Sequence, residues 1–425
     1  MEDIRRTFEP TRKAIGINHP LLDTLPKSTN FGNSPTWGDY VAASDTRSIA
    51  SGSTYYSALS RTSARSMKVV PGGLRRDNEY ARVLQSEELW PVPFDIEQNW
   101  SGRGQHAEFK KGEEPLINSL LQVQDTLGHT RTAFVQSVKC KRILLARKTI
   151  TCGKNTMTKE EAIKEVAHLT RLNHAHIVRI IGTYVKGREL SILLYPVAKF
   201  NLGEFFDRFS SLPNDACVKR LDMYFAGVRF HTCLSSALHY IHNNLTKHMD
   251  IKPQNILVEE SSTGYRPYIA DFGIARHYEK HEDIETDGHI SFTRRYAAPE
   301  VVNQDTRGLP ADIFSLGCVF LEIHVKIQSP WDDIALAAKV EKTLETNITG
   351  DRSYQANIVG LQEVLAESWE ETRDHLAAAV INTVQSMLVK EPQKRPSAEA
   401  ISKSFQNICG SHPCCIMGQV SLMAM

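Results

Sequence analysis

The pattern of hydrophobic and polar positions divides the chain into a strand-rich part followed by a helix-rich part. Between residues 115 and 198, short apolar runs alternate with polar turns and predict a small sheet. The predicted strands cover residues 120–127, 133–138, 142–150, 177–184 and 190–195. By its pattern, the chain therefore becomes ordered from about residue 115.

One helix is predicted between the third and fourth of these strands. Residues 158–161 form a capping box, in which the Thr158 hydroxyl accepts from a backbone amide and Glu161 reaches back to the start of the helix. Val166 and Leu169 then fall on one apolar stripe, which is typical of an amphipathic helix.

From about residue 199 onward the pattern predicts mainly helices. A long helix is predicted over 221–243 and another over 376–388. The stretch 312–325 is apolar almost all round, which predicts a helix buried on every side.

The two ends of the chain carry weaker patterns. Residues 1–73 are rich in serine and threonine and poor in large apolar residues, which predicts a disordered leader. Two interpretations of this leader stay open: a phosphorylated regulatory segment, or a plain solvated one. Residues 74–114 form a segment of unknown role in which 77–89 fits one helix, and residues 408–425 form a tail.

Composition narrows the class of protein. The 425 residues predict two or three structural units, and 41% hydrophobic with 23% charged residues fits a soluble globular protein. With a net charge of +1, the chain as a whole has no strong electrostatic attraction to nucleic acid or to an acidic membrane, so neither is predicted as a partner. The eight cysteines contain no CxxC pair, and the first residues lack the apolar core of a signal peptide, which favours a cytoplasmic or nuclear protein.

The candidate chemistry is concentrated in residues 248–257. This stretch places the carboxylate of Asp250, the ammonium of Lys252 and the carboxamide of Asn255 within six positions. Phosphoryl transfer requires groups of these three kinds: a carboxylate to orient a hydroxyl, a cation to neutralise phosphate charge and an oxygen atom to bind a metal. An Asp-Phe-Gly motif follows at 271–273 and an Ala-Pro-Glu motif at 298–300.

In this order and spacing, the three motifs resemble the catalytic loop, the metal-binding motif and the activation-segment motif of the protein kinase superfamily. The resemblance covers residues 115–407 and implies an α+β, two-lobed protein kinase fold. Its small β-rich N-lobe would be 115–198 and its larger helical C-lobe 199–407. The stretches 193–197 and 250–255 look closest to serine/threonine kinase-like proteins of filamentous fungi.

The resemblance implies an ATP-dependent serine/threonine kinase that acts on protein substrates. Asp250 would be the catalytic base, Lys252 would neutralise charge on the γ-phosphate, and Thr293 would brace both. Lys252 and Thr293 resemble the serine/threonine branch of the family. Asn255 and Asp271 would bind Mg²⁺ through hard oxygen atoms. Nothing in the sequence indicates an oligomeric state.

The resemblance also implies an ATP site between the lobes. Lys148 would hold the α- and β-phosphates and would itself be held by Glu165. Leu194 would be the gatekeeper, followed by the hinge. The other implied nucleotide contacts are Leu127, Gly128, Val135, Ala146, Tyr195, Val197 and Leu257.

Three further interpretations concern the interior of the C-lobe. His248 is expected to be structural, stacked beneath Phe272. Glu300 and Arg395 are expected to form a buried ion pair. The carboxylate of a further residue, Asp312, is expected to accept backbone amides from the catalytic loop.

Two departures from the family pattern keep other functions open. The phosphate-covering turn should read GxGxxG, but only Gly128 remains, and Thr130 and Ala133 replace the other glycines. Met249 stands where many kinases carry an arginine that meets a phosphorylated activation loop. The first alternative is a pseudokinase or nucleotide-binding scaffold with weak or no transfer activity. A second, a phosphotransferase for small molecules, is disfavoured by Thr293 and the Ala-Pro-Glu segment.

Overall fold

The computed structural model describes residues 73–409 except 76, 94, 130–132, 154–156, 214, 274, 278–292, 306, 329–333 and 373. The leader expected over 1–73 and the tail expected over 408–425 therefore lie almost entirely outside the described residues. Thr130 of the phosphate-covering turn also lies outside them.

Within the described ranges, six strands form one sheet: β1 His106–Phe109, β2 Gln122–His129, β3 Ala133–Cys140, β4 Ile143–Thr151, β5 Arg179–Lys186 and β6 Glu189–Tyr195. Their order across the sheet is β1-β5-β6-β4-β3-β2. Strands β2 to β6 pair antiparallel, whereas β1 joins the edge of β5 in parallel. The five strands predicted from the sequence are confirmed as the main part of this sheet.

The chain before β2 contains one helix that the sequence pattern predicted and two elements that it did not. Helix α1, Glu79–Ser86, lies within the helix expected over 77–89, whereas β1 and helix α2, Glu114–Leu120, were not predicted. The prediction that a strand starts at residue 120 is wrong, because the Leu121 amide still donates to the Ile117 carbonyl at 2.8 Å and both side chains are buried. This i,i+4 pair packs as part of a helix, and β2 begins one residue later.

Helix α3, Lys159–Thr170, packs against the sheet and begins at the predicted capping box. The Glu161 amide donates to Thr158 Oγ1 at 3.1 Å, and the Thr158 amide donates to Glu161 Oε2 at 2.7 Å. Val166 and Leu169 are buried, as the apolar stripe predicted. The capping box thus fixes where this helix starts, and the stripe fixes which face it buries.

The remaining described chain is mostly helical. Its helices are α4 Leu202–Ser210, α5 Cys217–Asn243, α6 Pro299–Val302, α7 Pro310–Ile323, α8 Ile334–Glu345, α9 Ile358–Glu371, α10 His375–Met387 and α11 Ala398–Cys409. Its short strands are β7 Phe200–Asn201, β8 Thr246–Lys247, β9 Ile256–Ser261, β10 Gly264–Ile269 and β11 Arg276–His277. Helix α7 is buried from Ala311 to Ile323, which confirms the prediction of a helix enclosed on every side.

This arrangement is the expected α+β architecture of a β-rich lobe followed by a helical lobe. The hairpin of β9 and β10 also pairs with β7, so it lies where the chain passes from one lobe to the other. No helix in the described residues is long and apolar enough to span a membrane.

Candidate active site

The three residues expected to catalyse transfer lie together in the loop after β8 and at the start of the segment leading to α6. Lys252 Nζ donates to Asp250 Oδ2 at 2.5 Å and to Thr293 Oγ1 at 2.7 Å. Thr293 Oγ1 in turn donates to Asp250 Oδ1 at 2.9 Å. Each group therefore contacts the other two, and both carboxylate oxygens of Asp250 are oriented by this closed network.

Asn255 completes the same loop from its 3₁₀ turn, Pro253–Asn255. Its Nδ2 group donates to the Asp250 carbonyl and to Asp250 Oδ2, both at 2.8 Å. Since Nδ2 faces Asp250, the Oδ1 atom is directed away as an acceptor. The Asn255 carbonyl also accepts from the Ala270 amide at 2.9 Å, which ties this loop to the residue before Asp271.

Asp271 has a φ of +63°, in the left-handed region that non-glycine residues seldom adopt. Such a backbone typically costs about 1–3 kcal/mol and persists where surrounding contacts hold it. The Asp271 carboxylate is partly exposed and accepts from Lys148 Nζ at 3.3 Å. Together with Asn255 Oδ1 it offers the hard oxygen donors that Mg²⁺ prefers, so this part of the site fits the metal.

Lys148 lies on β4 between carboxylates from two other elements. Its Nζ is 2.8 Å from Oε1 of the buried Glu165 on α3, in addition to its contact with Asp271. Burial alone would lower the pKa of Lys148, but attraction by Glu165 and Asp271 raises it above its ordinary value. Burial would raise the pKa of Asp271, yet Lys148 and the nearby basic groups hold it below its ordinary value. Both groups are therefore charged at neutral pH.

The loop that carries Asp250 is held by α7. The buried Asp312 carboxylate accepts the amides of His248 and Met249, both at 2.8 Å, and this confirms the expected contact. It also contacts His242 Nε2 at 3.1 Å. Burial would raise the pKa of Asp312, but the hydrogen bond and charge of His242, with the neighbouring His248, lower it. No pattern in the sequence connects His242 with Asp312, because the two residues lie 70 positions apart.

His248 is buried, as its structural interpretation requires. Its Nε2 donates to the Ala270 carbonyl at 3.0 Å, and its Nδ1 accepts from the Asp250 amide at 3.3 Å. The ring packs against Phe272 with centroids 4.7 Å apart. The expected stack is wrong in one detail, because the two rings meet edge to face, a geometry that aromatic quadrupoles favour.

The expected nucleotide contacts lie on neighbouring strands. Ala146 on β4 is opposite Leu194 on β6, and Val135 on β3 is opposite both Lys148 and Gly128. These pairings place the expected nucleotide contacts Val135, Ala146 and Leu194 on strands beside or including that of Lys148.

The remaining expected contacts lie in this sheet and in the chain that follows it. Tyr195 ends β6, and its side chain packs into the apolar cluster around Trp100, so its backbone is the part that remains for the expected hinge contact. Leu127 lies exposed on β2, Val197 follows Tyr195 and is half-buried, and Leu257 lies on β9.

Behind the site, Glu300 and Arg395 form the expected buried pair. Arg395 Nη1 and Nη2 donate to the two Glu300 oxygens at 2.7 and 2.9 Å. The arginine also donates to the carbonyls of Val389, Pro310 and Lys390. This bidentate pair joins the start of α6 to the loop before α11.

The family model of the protein kinase domain matches residues 121–405. The chain is 30% identical over 190 residues to a protein kinase and PP2C-like domain-containing protein of Arabidopsis thaliana, covering 41% of this chain and 28% of that protein. It is 29% identical over 283 residues to mitogen-activated protein kinase kinase kinase 2 of the same plant, covering 61% and 41%. It is 30% identical over 167 residues to myosin light chain kinase 3 of Rattus norvegicus, covering 39% and 20%. The matched region thus spans well under half of each relative's length.

Proposed function

The chain belongs to the protein kinase domain family, and we propose that it transfers phosphate from ATP to serine or threonine hydroxyls of protein substrates, with Asp250 as the catalytic base. The observation that carries this proposal is the closed contact network of Asp250, Lys252 and Thr293. The same site contains a second arrangement, the ion pair between Lys148 and Asp271. A chain used only as a scaffold has no need for both arrangements.

Each residue has a role that follows from its position. When bound, ATP supplies the phosphoryl group and Mg²⁺ neutralises phosphate charge, with Asn255 Oδ1 and the Asp271 carboxylate as the proposed ligands. Lys148 would hold the α- and β-phosphates. Asp250 would orient the substrate hydroxyl and accept its proton late in transfer, while the Lys252 ammonium would stabilise charge on the transferred group.

Substitution of the base tests this proposal. Asp250→Asn keeps the side-chain shape but removes the proton acceptor, and we expect phosphate transfer to fall by about 10²-fold or more. The matched control is Asp374→Asn, because Asp374 caps α10 through its side-chain oxygen and asparagine caps equally well. The assay is incorporation of radiolabelled phosphate into a generic protein substrate. Equal transfer by Asp250→Asn and the control would contradict the proposed base.

The phosphate-binding lysine gives a second test. Lys148→Met removes the charge between the two carboxylates, and we expect transfer to be abolished while the fold is kept. Lys339→Met is its matched control, since Lys339 is a surface residue that pairs with Glu367 and Glu371 on α9. Unchanged transfer by Lys148→Met would remove this residue from the proposed mechanism.

The scaffold alternative rests on the altered phosphate-covering turn. A Cβ at Gly128 would meet nothing within 4 Å, so there is open space beside this strand. Ala133 is the first residue of β3, and Thr130 lies outside the described residues. If the turn limits activity, Thr130→Gly with Ala133→Gly should raise ATP affinity or turnover, because backbone amides could then approach the phosphates. ATP binding without any transfer, in wild type and double variant alike, would favour the scaffold.

The finer assignments of kinship and location are also proposals. Kinship to kinase-like proteins of filamentous fungi rests on residues 193–197 and 250–255. A cytoplasmic or nuclear location is supported by the free cysteines among the described residues, such as Cys140 and Cys318.

A further inference from the structure

The segment before the kinase match packs against the helix that carries Glu165. We propose that residues 78–93 and 95–109, here called the brace, position α3 so that Glu165 reaches Lys148, and that the brace is a built-in positioning element of the active site. This inference rests on the proposed function, because it concerns the same ion pair. Three anchors attach the brace, and each is made of buried groups.

The first anchor is apolar. Tyr80 and Leu84 of α1 are buried in the same core cluster as Ala162, Ile163 and Val166 of α3. These α3 residues lie within one turn of Glu165 and face the brace and the sheet together. Interiors are close-packed, so movement of α1 away from this cluster would leave space for α3 to shift.

The second anchor is polar and joins three elements. The Tyr80 hydroxyl hydrogen-bonds to Thr183 Oγ1 on β5. The same Thr183 oxygen is 2.7 Å from His106 Nδ1 on β1. All three side chains are buried, and buried polar groups that lose their partners are costly, so this contact fixes one register of α1 on the sheet.

The third anchor requires a glycine. Trp100 Nε1 donates to the Gln105 carbonyl at 2.9 Å, and that carbonyl accepts from the Thr183 amide at 3.1 Å. A Cβ on Gly182 would lie 2.3 Å from the Gln105 carbonyl oxygen and 2.4 Å from Trp100 Nε1. Strand β5 can therefore receive the brace only because residue 182 has no side chain.

The ion pair needs this support because few contacts hold it. Glu165 Oε1 accepts from Lys148 Nζ at 2.8 Å, whereas the buried Glu165 Oε2 has no hydrogen-bond partner in the described residues. A single contact across two elements is sensitive to small shifts of α3, and displacement by about 1 Å can lower a reaction rate by about 10²-fold. The brace packs directly on the face of α3 next to this glutamate. Tyr80 and Leu84 are thus positioning residues for Lys148.

The test uses the full chain with Leu84→Ala, which removes buried packing, and Leu144→Ala as the matched control at an exposed leucine of β4. We expect kcat for phosphate transfer to fall about tenfold or more in Leu84→Ala, and amide hydrogen exchange within α3 to become faster. Leu84→Met, which conserves the volume of the side chain, should keep kcat and the rate of hydrogen exchange within α3 close to those of wild type. Tyr80→Phe provides a second variant with almost unchanged shape if Leu84→Ala does not fold.

A structural role alone would give a different result in a double-mutant cycle. In a Glu165→Gln background, Leu84→Ala should lower kcat little further, because the residue through which it acts is already disabled. An equal additional loss in that background, or wild-type exchange within α3 in Leu84→Ala, overturns the brace. If wild type transfers no phosphate, the proposed function fails, and faster α3 exchange in Leu84→Ala but not in Leu144→Ala still supports the brace.

Discussion

Replacement of Asp312 by asparagine tests whether α7 holds the loop that carries Asp250. The carboxylate accepts two backbone amides, from His248 and Met249, and contacts His242 Nε2. An asparagine has one acceptor oxygen, and its NH₂ group would face a buried donor. Asp312→Asn therefore leaves at least one buried N–H group of the loop without an acceptor.

The magnitude follows from the bonds that are lost. A hydrogen bond to a charged group contributes about 1.5–3 kcal/mol, and an unsatisfied buried group costs about 1–3 kcal/mol. One lost bond and weakening of the other two should lower the free energy of unfolding by about 3 kcal/mol. The loop also carries Asp250, so we expect phosphate transfer to fall by about 10-fold to 10²-fold.

Urea unfolding followed by fluorescence measures the first effect, and phosphate incorporation measures the second. The m-value should stay unchanged, since the exposed surface on unfolding is the same. Asp374→Asn, the same chemical change at a helix cap, should alter the free energy of unfolding by less than about 0.5 kcal/mol. If Asp312→Asn loses less than about 1 kcal/mol and transfers phosphate like wild type, the loop does not depend on this carboxylate.

Three further outcomes are expected. Arg395→Met leaves the buried Glu300 carboxylate without its cation, and the free energy of unfolding in urea should fall by about 3–5 kcal/mol. Arg352→Met removes only the exposed pairs with α8, and the free energy of unfolding should fall by less than about 1 kcal/mol. Burial lowers the pKa of His231 from 6.5 to about 4. Below pH 6.5 the unfolded state therefore binds more protons than the folded state, so the free energy of unfolding falls as the pH falls toward 4. In His231→Phe this decline with pH should be less steep. Thr286→Ala with Ser291→Ala, both outside the described residues, should lower activity less than about tenfold relative to phosphatase-treated wild type, because Met249, the residue before Asp250, cannot pair with phosphate.

Each of these outcomes has a clear contradiction. Equal losses in the two arginine variants would mean that burial does not set the strength of the Arg395 pair. An unchanged pH dependence of unfolding in His231→Phe would remove this histidine as a cause of acid instability. A larger loss in the double alanine variant would show that phosphorylation of the activation segment matters.

The sequence by itself determined the family and most of the local structure. The candidate catalytic groups at 250–255 and the motifs at 271–273 and 298–300 lie in short contiguous stretches, so their order and spacing are readable without coordinates. The capping box at 158–161 and the enclosed helix α7 were likewise predicted, because capping and apolar periodicity act over a few residues.

Tertiary structure decided the contacts between distant stretches. The pattern of residues 74–114 shows no role, yet β1 pairs in parallel with β5 about 77 positions away and Trp100 packs over Gly182. A strand of four residues is too short for alternation to be read, and a glycine that admits a neighbouring backbone looks like any other in the sequence. The distance between Lys148 and Glu165 likewise depends on how α3 lies on the sheet. Contacts between residues far apart in the chain determine these arrangements, and they cannot be read from local periodicity.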